Sequence, residues 1–317
     1  MRIIALVPGD IGNQLLFFPT LETLRQQYPQ AVIDVLVEPR AKAAYQVCKN
    51  VDNVLVFDYR DRSSLADYLN LLGIIRDREY DVSLSLGTGW FVESVVWLNG
   101  IPRRIGYQGN SDFYLSHPVV AQSDLYVPQK YHNLLQGLQI NAPCPPVTIN
   151  VAKEDIDWAE QEQQRLNLKD SGYILLYGED VAISEAQDTY PVDKWQQIIE
   201  NIQQKQTGLT TVLLQTSENR EWNTAMMSAS NKLIAIAPPD IGKLAAIIAG
   251  ANLILCTNST PMQLAIATDT YTVALLKDKA ALKYLPDSSE SCVSIASPSG
   301  KIADIEPELV LKQMWQS

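Results

Sequence analysis

The sequence predicts two doubly wound α/β domains in tandem, residues 1–150 and 151–317. Three observations predict this. Short apolar runs alternate with longer amphipathic stretches at the spacing of βαβ units. The alternation stops at Cys144-Pro145-Pro146-Val147 and then starts again. A chain of 317 residues with 46% hydrophobic content suits two domains of about 150 residues, each with its own core.

The first run, Ile3-Ile4-Ala5-Leu6-Val7, is continuously apolar and ends at Pro8-Gly9. It reads as a strand covered on both faces of a parallel sheet. A helical pattern follows over 13–27, with Leu15, Leu16, Leu21 and Leu24 on its apolar side. Residues 31–37 are rich in β-branched side chains and read as the next strand. A helix is expected over 41–49, a strand over 54–57, a helix over 65–78 and a strand over 81–86. In the second half, 155–166 reads as a helix linking the halves. Strands are then expected over 173–177, 210–215, 233–235, 253–256 and 272–275. Helices are expected over 192–205, 222–230, 241–248, 261–267 and 306–315. Right-handed crossovers place such helices on both faces of a parallel sheet.

A net charge of -11 argues against nucleic acid as a partner, because phosphate recognition needs a basic face. Arg103-Arg104 is a small local exception that reads as solvated or structural. Cys48, Cys144, Cys256 and Cys292 form no CxxC pair, and there are two histidines, so no metal site is expected. The cysteines read as reduced thiols, which implies a cytoplasmic protein. No apolar stretch approaches the roughly 18 residues of a membrane span, which leaves peripheral contact as the one expected mode of membrane association. No cofactor is expected: neither GxGxxG nor a P-loop is present.

In open parallel sheets, ligands bind beyond the carboxyl ends of the strands, where strand order reverses. Two such domains facing each other would place a ligand in the cleft between them. Two stretches fit that position. One is Pro8-Gly9-Asp10-Ile11-Gly12-Asn13. The other is Cys256-Thr257-Asn258-Ser259-Thr260-Pro261-Met262-Gln263, which joins a strand to a helix start.

Along nearly its whole length the chain resembles glycosyltransferase family 9, the heptosyltransferase-like enzymes with the GT-B fold. Residues 3–16, Phe18-Pro19-Thr20-Leu21, Arg104-Ile105-Gly106-Tyr107, His132-Asn133-Leu134-Leu135 and Tyr190-Pro191-Val192-Asp193-Lys194-Trp195 carry the resemblance. So does the stretch from Ile241-Gly242-Lys243-Leu244 through Asn258-Ser259 to Val273-Ala274-Leu275. The resemblance implies inverting, metal-independent transfer of a sugar from a nucleotide sugar to a glycan or lipid-linked acceptor. That reaction needs a base for the acceptor proton, fixed charge for the departing diphosphate and an oriented sugar.

The same resemblance exposes four departures. The position of the family's base is Asn13, and an amide cannot take a proton at neutral pH. Asp10, in the same loop, is either a substitute base or the cap of the following helix. The family's phosphate-contacting lysine position is Asp188, followed by Thr189. The family's acid and histidine of the third motif are Asn258 and Gln263. Ser259 and Thr260 either contact a phosphate at a helix start or only cap the helix. Trp90, with Phe91 after it, lies at a strand's carboxyl end and is an acceptor-side candidate. His132 is a second, with a structural role as its alternative. Glu179, Asp180 and Asp188 would make the donor side acidic. Lys194 is expected to face solvent. Two functions stay open: a transferase with altered donor or acceptor, and a catalytically silent relative that binds a ligand or a protein partner.

Overall fold

The computed structural model describes the whole chain apart from residues 60–63, 88, 110–111, 170, 180–188, 207, 231–232, 287–289, 316–317 and the side chain of residue 91. The chain divides into two compact units, Met1–Asn150 and Val151–Ser317.

In the first unit the elements run β1 (Arg2–Val7), α1 (Ile11–Gln27), β2 (Val32–Val37), a 3-10 helix (Pro39–Val47), β3 (Asn53–Val56) and α2 (Leu65–Arg78). They continue with β4 (Val82–Ser85), α3 (Trp90–Leu98), β5 (Arg103–Tyr107), β6 (His117–Val119) and α4 (Val127–His132). The sheet order is β3-β2-β1-β4-β5-β6, all parallel. Central β1 is fully buried from Ile3 to Val7, which is why its sequence is apolar at every position rather than at alternate ones. One core face joins Ile4 and Leu6 of β1 to Leu71 and Ile75 of α2 and to Val92, Val95 and Val96 of α3.

The second unit opens with α5 (Lys153–Arg165), β7 (Tyr173–Tyr177), α6 (Val192–Lys205), β8 (Thr210–Leu214), α7 (Arg220–Ala229) and β9 (Ile234–Ile236). It closes with α8 (Ile241–Ala249), β10 (Leu253–Thr257), α9 (Thr260–Ala267), β11 (Thr272–Leu276), β12 (Cys292–Ala296) and α10 (Pro307–Trp315). A 3-10 helix, Lys279–Tyr284, follows β11. The sheet order is β12-β11-β10-β7-β8-β9. Counted from β7, this is the same order as in the first unit: each unit's earliest strand lies in the middle, and the order reverses beside it. Both are doubly wound sheets of the predicted class. A cluster of Tyr190, Trp195 and Trp222 fills one side of the second core, with ring centroids 5.4 and 5.5 Å apart.

Several local expectations are corrected. The segment after β2 is a 3-10 helix, not an α-helix; its bonds include Ala41 N–H to Glu38 O and Cys48 N–H to Tyr45 O. A six-residue strand such as β2 is about 20 Å long, and the chain must return that distance to start β3. Nine residues (Pro39–Val47) span roughly 18 Å as a 3-10 helix and less as an α-helix. The helix read as a link, α5, belongs to the second unit, where Asp155 pairs with Lys243 of α8 at 3.2 Å. Lys194 does not face solvent: its Nζ donates to Ile305 O at 3.2 Å and pairs with Glu306 at 3.1 Å, tying α6 to the start of α10.

Candidate functional site

In the first unit the strand order reverses between β1 and β4, where Leu6 lies opposite Ser85. The segments that leave these strands are Pro8-Gly9-Asp10 and the turn into α3. Gly9 has φ +109°, and a Cβ there would meet Asn13 Nδ2 at 2.7 Å. Glycine is therefore required twice at this point, by backbone conformation and by the side chain packed over it. The Gly9 N–H donates to Glu38 Oε1 at 3.0 Å. Glu38 is buried at the end of β2 and also pairs with Arg40 at 2.8 Å, so a charged pair holds the loop.

Asp10 caps α1. Its Oδ1 accepts from the Asn13 backbone N–H at 3.1 Å and from Asn13 Nδ2 at 2.8 Å. The other end of that amide, Asn13 Oδ1, accepts from Tyr131 Oη at 3.4 Å. Asp10 and Asn13 thus form one clamp in which the carboxylate serves the helix start. An aspartate in place of Asn13 would set two carboxylates against each other here. Beneath the loop, buried Gln14 donates to Val7 O at 3.1 Å and accepts from Tyr45 Oη at 2.8 Å. One turn into α3, the buried carboxylate of Glu93 accepts from Ser85 Oγ at 3.2 Å. Neither Glu38 nor Glu93 stood out in the sequence. Each lies in a helix or strand terminus with no motif around it.

The acceptor-side candidates separate. Trp90 is exposed on the first turn of α3, at the carboxyl end of β4. His132 is buried, its Nε2 2.9 Å from Thr23 Oγ1. Thr23 lies on the order of 15 Å along α1 from Asn13, so His132 joins α4 to α1 away from the loop. Burial lowers its pKa and favours the neutral imidazole that accepts or donates one bond to the threonine.

In the second unit the order reverses between β7 and β10, with Cys256 opposite Tyr177. Beyond their carboxyl ends lies a cavity of about 360 Å³ lined by Glu179, Thr257, Asn258, Lys277, Lys283 and Tyr284, among others. Ser259 sits beside it as the cap of α9, accepting from the Met262 N–H at 3.4 Å and donating to Thr257 O at 2.9 Å. Thr260 opens the helix and Pro261 occupies its first turn, where the missing N–H is harmless. Asn258 is exposed on the cavity rim. Gln263 is buried, and its Nε2 donates to Tyr284 O at 3.0 Å. This side chain builds the wall by binding the 3-10 helix to α9, and its amide nitrogen is already engaged. Thr257, which lines the cavity, has a buried Oγ1 without a partner among the described residues, and Gln263 Oε1 is likewise buried without one.

Thr189 is half-buried ahead of α6; Asp180 and Asp188 lie outside the described residues. Of the acids expected on the donor side, Glu179 does line the cavity, but Lys277 and Lys283 line it too. Asp278 spends its carboxylate on capping, with Oδ1 3.1 Å from the Ala281 N–H. The sequence reading missed both lysines and Tyr284. The signal was present: Lys277, Lys279 and Lys283 crowd seven residues after a strand, in a chain of net charge -11. Among the described residues no group of His, Cys, Asp and Glu could hold a metal ion, and no helix is long and apolar enough to cross a membrane.

The family model for glycosyltransferase family 9 (heptosyltransferase) matches residues 69–305. A photosynthetic NDH subunit of subcomplex B 1, chloroplastic, from Arabidopsis thaliana is 25% identical over 334 residues, covering 96% of this chain and 71% of that protein. Among solved structures, the glycosyl transferase family 9 protein from Veillonella parvula DSM 2008 superposes with a TM-score of 0.84 at 17% identity, covering 98% of this chain and 95% of that one. The E. coli ADP-heptose lps heptosyltransferase II gives 0.80 at 18% identity, with 99% and 97% covered. E. coli heptosyltransferase WaaC with ADP gives 0.77 at 12% identity, with 99% of each chain covered. These likenesses establish that both six-stranded units share the GT-B architecture.

Proposed function

The chain belongs to glycosyltransferase family 9, and from that premise we propose that it holds a phosphate-bearing, nucleotide-type ligand in its second unit without transferring sugar from it, serving as a binding component of a larger assembly. The clamp between Asp10 and Asn13 carries this reading. The position where the family pattern calls for a base is an amide, and the nearest carboxylate is committed to the helix start. The loop therefore offers an incoming hydroxyl only a carboxylate already engaged as a helix cap.

Ligand binding keeps better support than catalysis. The cavity beyond β7 and β10 lies where doubly wound sheets bind ligands. Its lysines supply positive charge for phosphate, and Thr257, which lines it, keeps a buried Oγ1 with bonding capacity to spare. The Arabidopsis relative is named as a subunit of a complex, which supports a protein partner for this chain too.

One observation favours a second reading, inverting metal-independent transfer to a glycan or lipid-linked acceptor. Glu93 places a buried carboxylate after β4, beside Ser85. It is the strongest remaining candidate for a base.

One titration separates the readings. Calorimetry with ADP, UDP, GDP and their sugar conjugates should show binding, and Lys283→Ala should weaken it about tenfold, the value of one lost charge-assisted contact of about 1.4 kcal/mol. No nucleoside diphosphate should be released when acceptor glycans are added. Release that disappears in Glu93→Gln would establish the transferase reading instead. Failure of every nucleotide to bind would remove both.

A further inference from the structure

Helix α3 has no polar face. Its sequence, Trp-Phe-Val-Glu-Ser-Val-Val-Trp-Leu, carries one charge, and that charge points inward: Glu93 is buried against Ser85. Val92, Val95 and Val96 fill the core, while Trp97 and Leu98 turn outward. Beside it, α2 turns Leu65 and Leu69 outward, one turn apart. Phe113, from the short turn Asp112–Tyr114, packs its ring 5.9 Å from that of Trp97.

A crossover helix of an α/β unit ordinarily presents charged and polar residues to water. Here Leu65, Leu69, Trp90, Trp97, Leu98 and Phe113 are each between 40% and 77% exposed. Together they show on the order of 700 Å² of largely apolar surface, taking large side chains at roughly 150–250 Å² each. The largest apolar patch on an ordinary monomer is about 300–600 Å². One side of a standard specific interface is about 800 Å².

We propose that this α2–α3 face is a homodimer interface, covered by the same face of a second copy of the chain. The exposed apolar area matches what one partner contributes to a stable interface. A two-fold axis would bring the same apolar patch of both copies together, as an isologous contact requires. A bilayer fits less well. Residues 64–120 hold four arginines and no lysine. Of these, Arg78 is paired with Asp34 at 2.8 Å, and Arg104 donates to the carbonyls of Ile101 and Tyr114. The segment lacks the basic cluster that draws a protein to anionic lipid. This interface does not depend on what the second unit binds.

Sedimentation velocity and light scattering across micromolar concentrations test it. The full chain should sediment at twice the 35.3 kDa of one copy. Leu98→Glu with Phe113→Glu should raise the dissociation constant by more than about 100-fold, as loss of central hot-spot residues does, with an unchanged far-ultraviolet circular dichroism spectrum. Leu309→Glu, at an exposed position of α10, should leave the dimer intact. If the double variant misfolds, Leu69→Lys on α2 carries the same test. A full-length chain that stays monomeric would overturn the proposal, as would a dimer that survives the double variant. A monomer that pellets with phosphatidylcholine vesicles would assign the face to lipid and also overturn it.

Discussion

Replacing Asp10 by alanine removes both of its bonds to Asn13, to the backbone N–H at 3.1 Å and to Nδ2 at 2.8 Å. Loss of an N-cap acceptor costs about 1 kcal/mol, within a range of roughly 0.5–2. Loss of a negative charge at the start of a helix adds about 0.3–1 kcal/mol. The side chain is exposed, so the second bond adds little, and the alanine variant should lose about 1.5 kcal/mol. Asparagine keeps the acceptor and gives up only the charge, so Asp10→Asn should lose about 0.5 kcal/mol. At roughly 2–4 °C per kcal/mol for a unit of this size, the expected drops in melting temperature are about 4 °C and 1–2 °C. Thermal melts followed by far-ultraviolet circular dichroism resolve that difference. Nucleotide binding in the second unit should be the same in both variants. An alanine variant within about 0.3 kcal/mol of the parent would refute the cap. So would an asparagine variant as damaged as the alanine one, which would mean that the charge itself is what the site uses.

Two further outcomes follow from the packing. Burial lowers the pKa of His132 from its ordinary 6.5, so below about pH 6.5 the unfolded chain holds a proton that the folded chain refuses, and stability must fall as pH drops from 7 towards 5. His132→Gln should flatten that part of the profile, and an equally steep profile would show that other groups produce it. In α8, a Cβ on Gly242 would meet Asp155 Oδ2 at 2.0 Å, so Gly242→Ala should swing that carboxylate aside and weaken its pairing with Lys243, at a cost of about 1 kcal/mol. Combining it with Asp155→Ala should recover part of the loss in a double-mutant cycle; strictly additive losses would place the strain elsewhere.

Buried parallel strands advertise themselves. Residues 3–7, 173–177 and 253–256 are apolar runs because both sheet faces are covered, and all three are central strands. The edge and near-edge strands were harder to read. β5 opens with Arg103-Arg104, β6 contains His117 and Pro118, and β12 mixes Cys292, Val293 and Ser294. Partial exposure lets polar residues interrupt the pattern. Helix α3 was missed for a different reason: with no polar face it shows no 3.6-residue alternation to detect. At the sites, the two loops were legible because turn residues and helix caps have local signatures. Their bonding was not. Whether Asp10 is a base or a cap depends on where Asn13 Nδ2 points. Whether Gln263 reaches a ligand depends on Tyr284, which is distant in sequence and adjacent only after folding.

The shared strand order has a consequence for how each unit is made. A ribosome delivers β1 first, then β2 and β3, which add to one side of it. Until β4 emerges, the half-sheet presents Ile3–Val7 as an open strand edge, unpaired on one side and wholly apolar. Open apolar edges recruit other chains. The nascent protein is therefore most vulnerable between completion of β3 and arrival of β4, and α2, which fills that interval, sets how long the exposure lasts. The second unit repeats the hazard, with β7 waiting through β8, β9 and α8 for β10.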